Sequence, residues 1–185
     1  IGVTAPLTGD VGSAGQEIQR GIELAKERLA REKIGVTISF EDACLPAQAV
    51  SAVKKMIEGD HIEALVGNYC VIALNALRPI IEKEGLLTIH NSSAPKKILL
   101  SSPNIFTTWP SIEQEVQRMV DAIGNGRIER AGIVYLENPW GFGYRETFKE
   151  ELIQRGHKPT LDSFQAHNVH DFRSEVTKLK SSKTK

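Results

Sequence analysis

The stretch IGVTAPLTGDVGSAGQEIQRGIELA, residues 1–25, shows three patterns in succession, and their order decides the fold. Ile1–Ala5 is a short apolar run. The next ten residues are punctuated by Gly9, Gly12 and Gly15. Then Ile18, Ile22 and Ala25, with Leu29 just beyond, recur at helical spacing among Glu, Lys and Arg. A strand, a glycine loop and an amphipathic helix in this order open a βαβ unit.

The rhythm continues outward. GVTISF (35–40) is β-branched and alternating, and Val50, Val53 and Ile57 mark one face of a helix over 47–58. IEALVG (62–67) reads as a third strand. Residues 72–84 read as a helix in which Pro79 imposes a kink or a late start. Gly85 closes it, and LLTIH (86–90) is a fourth strand. The expectation is an α/β fold of parallel sheets with helices on both faces, ligands lying beyond the carboxyl ends of the strands. After the polar stretch NSSAPKKILLSSPN (91–104) and IFTTWP (105–110), the rhythm restarts. It gives a helix over 111–123, the strand RAGIVYL (130–136), a helix over 142–155, the strand TLDSF (160–164) and a helix over 171–180. Residues 1–106 are therefore read as an N-terminal α/β lobe and 107–185 as the beginning of a second, incomplete one.

Bulk properties exclude several functions. Lys plus Arg and Asp plus Glu number 23 each in 185 residues, a formal net charge of zero and not the basic excess of a nucleic-acid binder. The basic end KLKSSKTK reads as a solvated charge run. No apolar stretch approaches the roughly 20 residues that span a bilayer. The chain starts inside a strand without an initiator Met, so a processed or trimmed N-terminus is expected.

Several residues carry candidate chemistry. Cys44, in FEDACLPAQ, and Cys70, in VGNYCVIA, both follow a predicted strand. If strands two and three are close neighbours, the two Cα atoms can come within the roughly 7 Å that a disulfide needs. Two free thiols, or a Cys nucleophile served by His61, His90, His157, His167 or His170, are the alternatives. Gly9, Gly12 and Gly15 are not spaced GxGxxG and no GK[ST] follows, so a nucleotide loop is not indicated. The loop either meets a ligand at the helix amino end or turns the chain with Ser13 as N-cap. Asn91-Ser92-Ser93-Ala94-Pro95 places hydroxyls just after a strand. In ENPWGFGYRE, Trp140 is expected on a strand-end loop, covering an apolar or aromatic ligand. His167, His170 and Asp171 lack a third suitably spaced ligand group, so no metal is expected, and Asp171 reads as the cap of the last helix. No acid pair, Ser-His-Asp order or HExxH calls for an enzyme or a cofactor.

Taken in order, these stretches resemble the periplasmic solute-binding proteins of branched-chain amino-acid (Leu/Ile/Val) ABC transporters, a type I binding-protein fold. The likeness rests on residues 1–25, on EDACLPAQAVSAVKKMI followed by ALVGNYC, on EGLLTIHNSSAP and on ERAGIVYLENPWGFGYRETFKEEL. It runs nearly end to end, although family members are about twice as long. The resemblance implies a Cys44–Cys70 disulfide and two lobes that close on a small ligand by a hinge motion. Ligand contacts would come from Ser13 and Ala14, from Tyr69, Cys70 and Val71, from Ser92, Ser93 and Ala94, and from Trp140 in the second lobe.

The sequence departs from the family where Val71 replaces the serine that holds an amino acid's carboxylate, and where Ala94 replaces a hydroxyl. With Tyr69 and Trp140 beside the cleft, the expected ligand is an amino acid or, better, an aromatic or aliphatic carboxylate. The resemblance thus implies an extracytoplasmic protein, not an enzyme, that delivers a small molecule to the membrane subunits of an ABC permease without inserting into the membrane. A ligand-sensing regulatory domain of the same fold, in a receptor or amide sensor, is the alternative.

Overall fold

The structure, a computed structural model, describes residues 1–124, 128, 132–157, 163–166 and 171–181. His167 and His170 lie outside the described residues. The chain forms two compact units: residues 1–93 with 97–109, and residues 94–96 with 110–185.

The first unit is built from β1 (Gly2–Ala5), α1 (Gly12–Arg31), β2 (Ser39–Asp42), α2 (Pro46–Asp60), β3 (Ala64–Gly67), α3 (Val71–Glu84), β4 (Leu87–His90) and β5 (Ile105–Thr107). A short helix, α4 (Lys96–Leu99), precedes β5. The five strands are parallel in the order β2-β1-β3-β4-β5. The chain moves one way from β1 to β2 and the other way from β2 to β3, so right-handed crossovers send α1 and α2 to opposite faces.

Register sorts the side chains into rows. Gly2, Leu65, Thr88 and Ile105 form one row on the face that Met56 and Ile62 reach, and Thr4, Gly67 and His90 form the next row of that set. Beneath them the core is dense: Met56, Val53, Leu65, Leu74, Leu77 and Ile81 are fully buried. At about 1.5–3 kcal/mol per large apolar side chain, this layer dominates the unit's stability. The opposite row, Phe40–Val3–Val66–Ile89–Phe106, is covered at Val3 by α1 and opens toward β5.

Several expectations are corrected. The second and third strands do not pair; each pairs with β1, which lies between them. Pairing with β1 also moves β2 to Ser39–Asp42, where Glu41 and Asp42 are tolerated because the strand is at the sheet edge. IFTTWP contains a fifth strand. Pro79 does not delay the start of α3, which begins at Val71 and runs through it.

The second unit contains α5 (Ile112–Ile123), β6 (Ile133–Leu136), α6 (Pro139–Gln154), β7 (Ser163–Ala166) and α7 (Arg173–Ser181), with β6 and β7 parallel. Ser111 caps α5, its hydroxyl accepting the Gln114 N–H at 3.3 Å while the Gln114 side chain takes the Ser111 N–H at 3.0 Å. Ile112, Val116, Val120, Ile128, Phe148 and Leu152 make the core of this unit. Arg155 joins α6 to α5 by bonds to Glu151 and Asp121 at 2.7 and 2.6 Å. Asp171 lies just outside α7 and accepts the Arg173 N–H at 3.1 Å.

Candidate functional site

The loops that leave the carboxyl edge of the first sheet hold most of the expected ligand contacts. The loop after β1 is tied to β2: Asp42 accepts the Leu7 N–H at 2.8 Å and the Thr8 hydroxyl at 2.5 Å. The Thr8 hydroxyl above all, with the Leu7 and Thr8 N–H groups, holds the Asp42 carboxyl below its ordinary range against the opposing effect of burial. The loop then meets α1 at close quarters. A Cβ on Gly15 would stand 2.0 Å from the Pro6 carbonyl oxygen, so only glycine lets the helix start this near the strand end. Ser13 is exposed and Ala14 half-buried in the first turn. Ser13 is not the N-cap; Val11 is, and it supplies no side-chain bond. The helix begins two residues earlier than a Ser13 cap would place it, and the Gly12 N–H is bonded to the Gly9 carbonyl at 3.0 Å.

After β3 the chain turns sharply through Gly67 (φ 93°) and Asn68 (φ 30°). Asn tolerates this left-handed region better than most residues. Tyr69 is half-buried. Cys70 is the N-cap of α3, its carbonyl receiving the Ala73 and Leu74 N–H groups at 3.0 Å each, and no side chain caps the helix. Val71 opens α3 at 8 % exposure.

Cys44 and Cys70 form a disulfide with Cα atoms 5.3 Å apart. Parallel strands sit about 4.8 Å apart, so β2 and β3, with β1 between them, are roughly twice that distance from each other. The segments after them close the gap by leaning over the end of β1, where the Ala43 N–H donates to the Ala5 carbonyl at 3.0 Å. With its sulfur bonded, Cys70 is no nucleophile.

The loop after β4 is joined to the loop after β3. The Asn91 N–H donates to the Gly67 carbonyl at 3.3 Å, and the fully buried His90 donates from Nδ1 to the Asn68 carbonyl at 2.5 Å. Because a carbonyl only accepts, this bond fixes the proton on Nδ1. Burial pushes the His90 pKa down, and the backbone groups of Asn68 and Ser93 oppose it. Ser92 is half-buried, its carbonyl accepting the Thr107 hydroxyl at 3.5 Å, and Ser93 is buried.

Ser13, Ala14, Tyr69, Cys70, Val71, Ser92 and Ser93 thus share the carboxyl edge of one sheet. Ala94 and Trp140 belong to the second unit. The Ala94 carbonyl accepts the Ile112 N–H at 3.2 Å. Trp140 is not on a loop: Asn138 caps α6 by accepting the Gly141 N–H at 2.8 Å, and Pro139 begins the helix, so Trp140 sits in its first turn. Its ring, 39 % exposed, packs 4.6 Å from that of Tyr144. With Tyr135, Leu136 and Phe148 it lines an apolar groove of about 530 Å³ along β6. Residue spacing missed Asp42 and Asn68, and offered His90 only as a possible base for a Cys nucleophile. A carboxylate at a strand end was the one visible signal, and it pointed to Asp42 alone.

Residues 1–185 match the periplasmic binding protein family, and the chain belongs to it. A curated relative, the Leu/Ile/Val-binding protein homolog 3 of Brucella melitensis, is 27 % identical over 98 % of this chain and 51 % of its own length. Among solved structures, the solute-binding protein of an ABC transporter from Rhodopseudomonas palustris BisB5, in complex with 3,4-dihydroxybenzoic acid, superposes with a TM-score of 0.83 at 19 % identity. That match covers 98 % of this chain and 51 % of the other. Another R. palustris solute-binding protein, in complex with benzoate, gives 0.77 at 22 % identity over 97 % and 51 %. The fold is therefore that of the type I periplasmic binding proteins, and the chain spans about half the length of these relatives.

Proposed function

We propose that the chain is the ligand-gripping portion of an extracytoplasmic solute-binding protein that hands a small carboxylate, aromatic in preference to an α-amino acid, to an ABC permease. One observation carries the reading: α1 and α3 both begin at the same sheet edge with no side-chain cap, while α3 opens with the buried Val71. The partial positive charge at a helix start favours an anion, by about 0.3–1 kcal/mol per helix and up to about 2 in partly buried geometry. Val71 gives that anion an apolar surround where a hydroxyl would suit an amino acid. Ser92 and Ser93 supply the remaining hydroxyls of this edge, and the family resemblance implies an aromatic contact from Trp140 of the second unit.

The benzoate-type ligands of the R. palustris proteins fit this chemistry. The Leu/Ile/Val-binding relative keeps branched-chain amino acids as the second ligand class to test. The disulfide suits an oxidising compartment, which favours export over a cytoplasmic sensor of the same fold. No helix among the described residues is long and apolar enough to cross a membrane.

Thermal unfolding with benzoate, 4-hydroxybenzoate, leucine and phenylalanine tests the reading. A ligand at a hundred times its Kd stabilises by about 2.7 kcal/mol. The aromatic acids are expected to raise Tm, and Val71→Ser is expected to shift preference toward the amino acids. A response to leucine alone would overturn the proposed ligand class.

A further inference from the structure

We infer that His90 is a positioning residue for ligand binding: from the end of β4 its imidazole holds the Asn68 carbonyl and so sets where Tyr69, Cys70 and Val71 meet a ligand. This rests on the function proposed above.

The geometry is specific. The Nδ1 bond spans 22 residues of sequence and grips a residue at φ 30°, a backbone state that relaxes readily unless held. At the far end of the same three-residue turn, Cys70 is tied to Cys44. The turn is thus pinned from β4 on one side and from beyond β2 on the other, with Tyr69 between the pins.

The seat beneath the turn is polar. Register places Thr4, Gly67 and His90 in one row across three strands, with no side chain at Gly67. Thr4 Oγ1, both amide atoms of Asn68 and His90 Nε2 are buried there without a protein hydrogen-bond partner. One row away the buried Leu65 and Ile105 flank Thr88, whose hydroxyl is satisfied by the Leu86 carbonyl at 3.1 Å, so that row leaves no side chain unpaired. A position that served packing alone would be apolar or locally satisfied, because an unpartnered buried polar atom is unfavourable. Carrying a histidine at this cost makes sense if its donor is needed at the turn.

The test uses the 185-residue chain with His90→Leu, which removes the donor, and His90→Gln, whose amide can donate in its place. Amide hydrogen exchange across residues 68–72 and the benzoate and 4-hydroxybenzoate Kd values are measured for both variants and the wild type. His90→Leu is expected to speed exchange at Tyr69 and Cys70 and to weaken binding, each about tenfold or more, with His90→Gln recovering most of both. In the wild type, long-range nitrogen–proton NMR is expected to show the ring protonated at Nδ1, which does not depend on any variant folding. Ring protonation at Nε2 overturns the proposal, as does His90→Leu with normal exchange at Tyr69 and Cys70 in a protein whose wild type binds benzoate. Equal loss in both variants, spread over all amides, reduces His90 to a packing residue. A wild type that ignores both aromatic acids but shows the expected exchange changes overturns the ligand reading and leaves the clamp standing.

Discussion

Cys70 serves two elements at once: its carbonyl starts α3 and its sulfur ties that start to the segment after β2. The sequence separation of 26 gives a chain-entropy stabilisation of about 3.5 kcal/mol. Cys44→Ala and Cys70→Ala should therefore lose nearly equal stability in chemical denaturation, each close to the loss on reducing the wild type. A much larger loss in one variant would show that cysteine acts by something other than the crosslink. His90 adds a pH dependence. In the unfolded chain the ring takes up a proton near the ordinary value of about 6.5, whereas burial resists protonation in the folded protein. Its contribution is complete above about pH 6.5 and is lost as pH falls below it, by up to about 1.4 kcal/mol per unit, levelling off below the folded pKa. Denaturation of wild type and His90→Gln between about pH 5 and pH 8 should give a difference that shrinks on acidification; a flat difference would mean the ring charges freely in the fold. At this scale the sequence revealed the Cys44 and Cys70 pair, because each cysteine follows a predicted strand; Val71 and Ser92-Ser93 lie after strand ends as expected. Asn68 and His90 were not legible, because their meaning lies in a contact between segments 22 residues apart.

Both units join a strand to a helix with the same device. Gly15 lets α1 approach the Pro6 carbonyl, and Gly141 lets α6 approach the Leu136 carbonyl, where a Cβ would stand 2.1 Å away. In each case the first helical turn is pressed against the end of its strand, which aims the helix start over the sheet edge. Gly15→Ala should therefore destabilise even though alanine is the better helix former. The clash is with backbone, and overpacking costs about 1–3 kcal/mol against a propensity gain of at most about 1. A Tm equal to or above wild type would mean that α1 can pull back without cost. Most helices and strands were readable because apolar spacing at 3.6 and 2 residues survives in the sequence, as in Val50-Val53-Ile57 and in LLTIH. β5 was not: Ile105–Thr107 is too short to alternate, and only its pairing with β4 makes it a strand. The start of α6 was signalled by Asn138-Pro139 but masked by the two glycines that follow Trp140.

At the scale of the whole molecule, the two faces of the first sheet are unequally covered. The face under α2 and α3 is sealed, whereas Leu87 and Phe106 on the other face stand 44 % and 54 % exposed. Leu87 and Ile89 lie along β4 with Phe106 beside Ile89, so the exposed apolar groups are contiguous and not scattered. They also lie next to β5, the edge strand of the sheet. An apolar stripe beside an open edge promotes association, because it offers both buried area and a ladder to extend. A chain about half as long as its relatives should accordingly associate as its concentration rises and bind a hydrophobic dye in its native state. Leu87→Lys with Phe106→Lys should suppress both effects and leave benzoate affinity unchanged, since neither residue lies on the strand-end loops. Sedimentation at a single monomer mass over the whole soluble range, with no dye bound by the wild type, would show that α1 covers the face by a movement this structure does not contain.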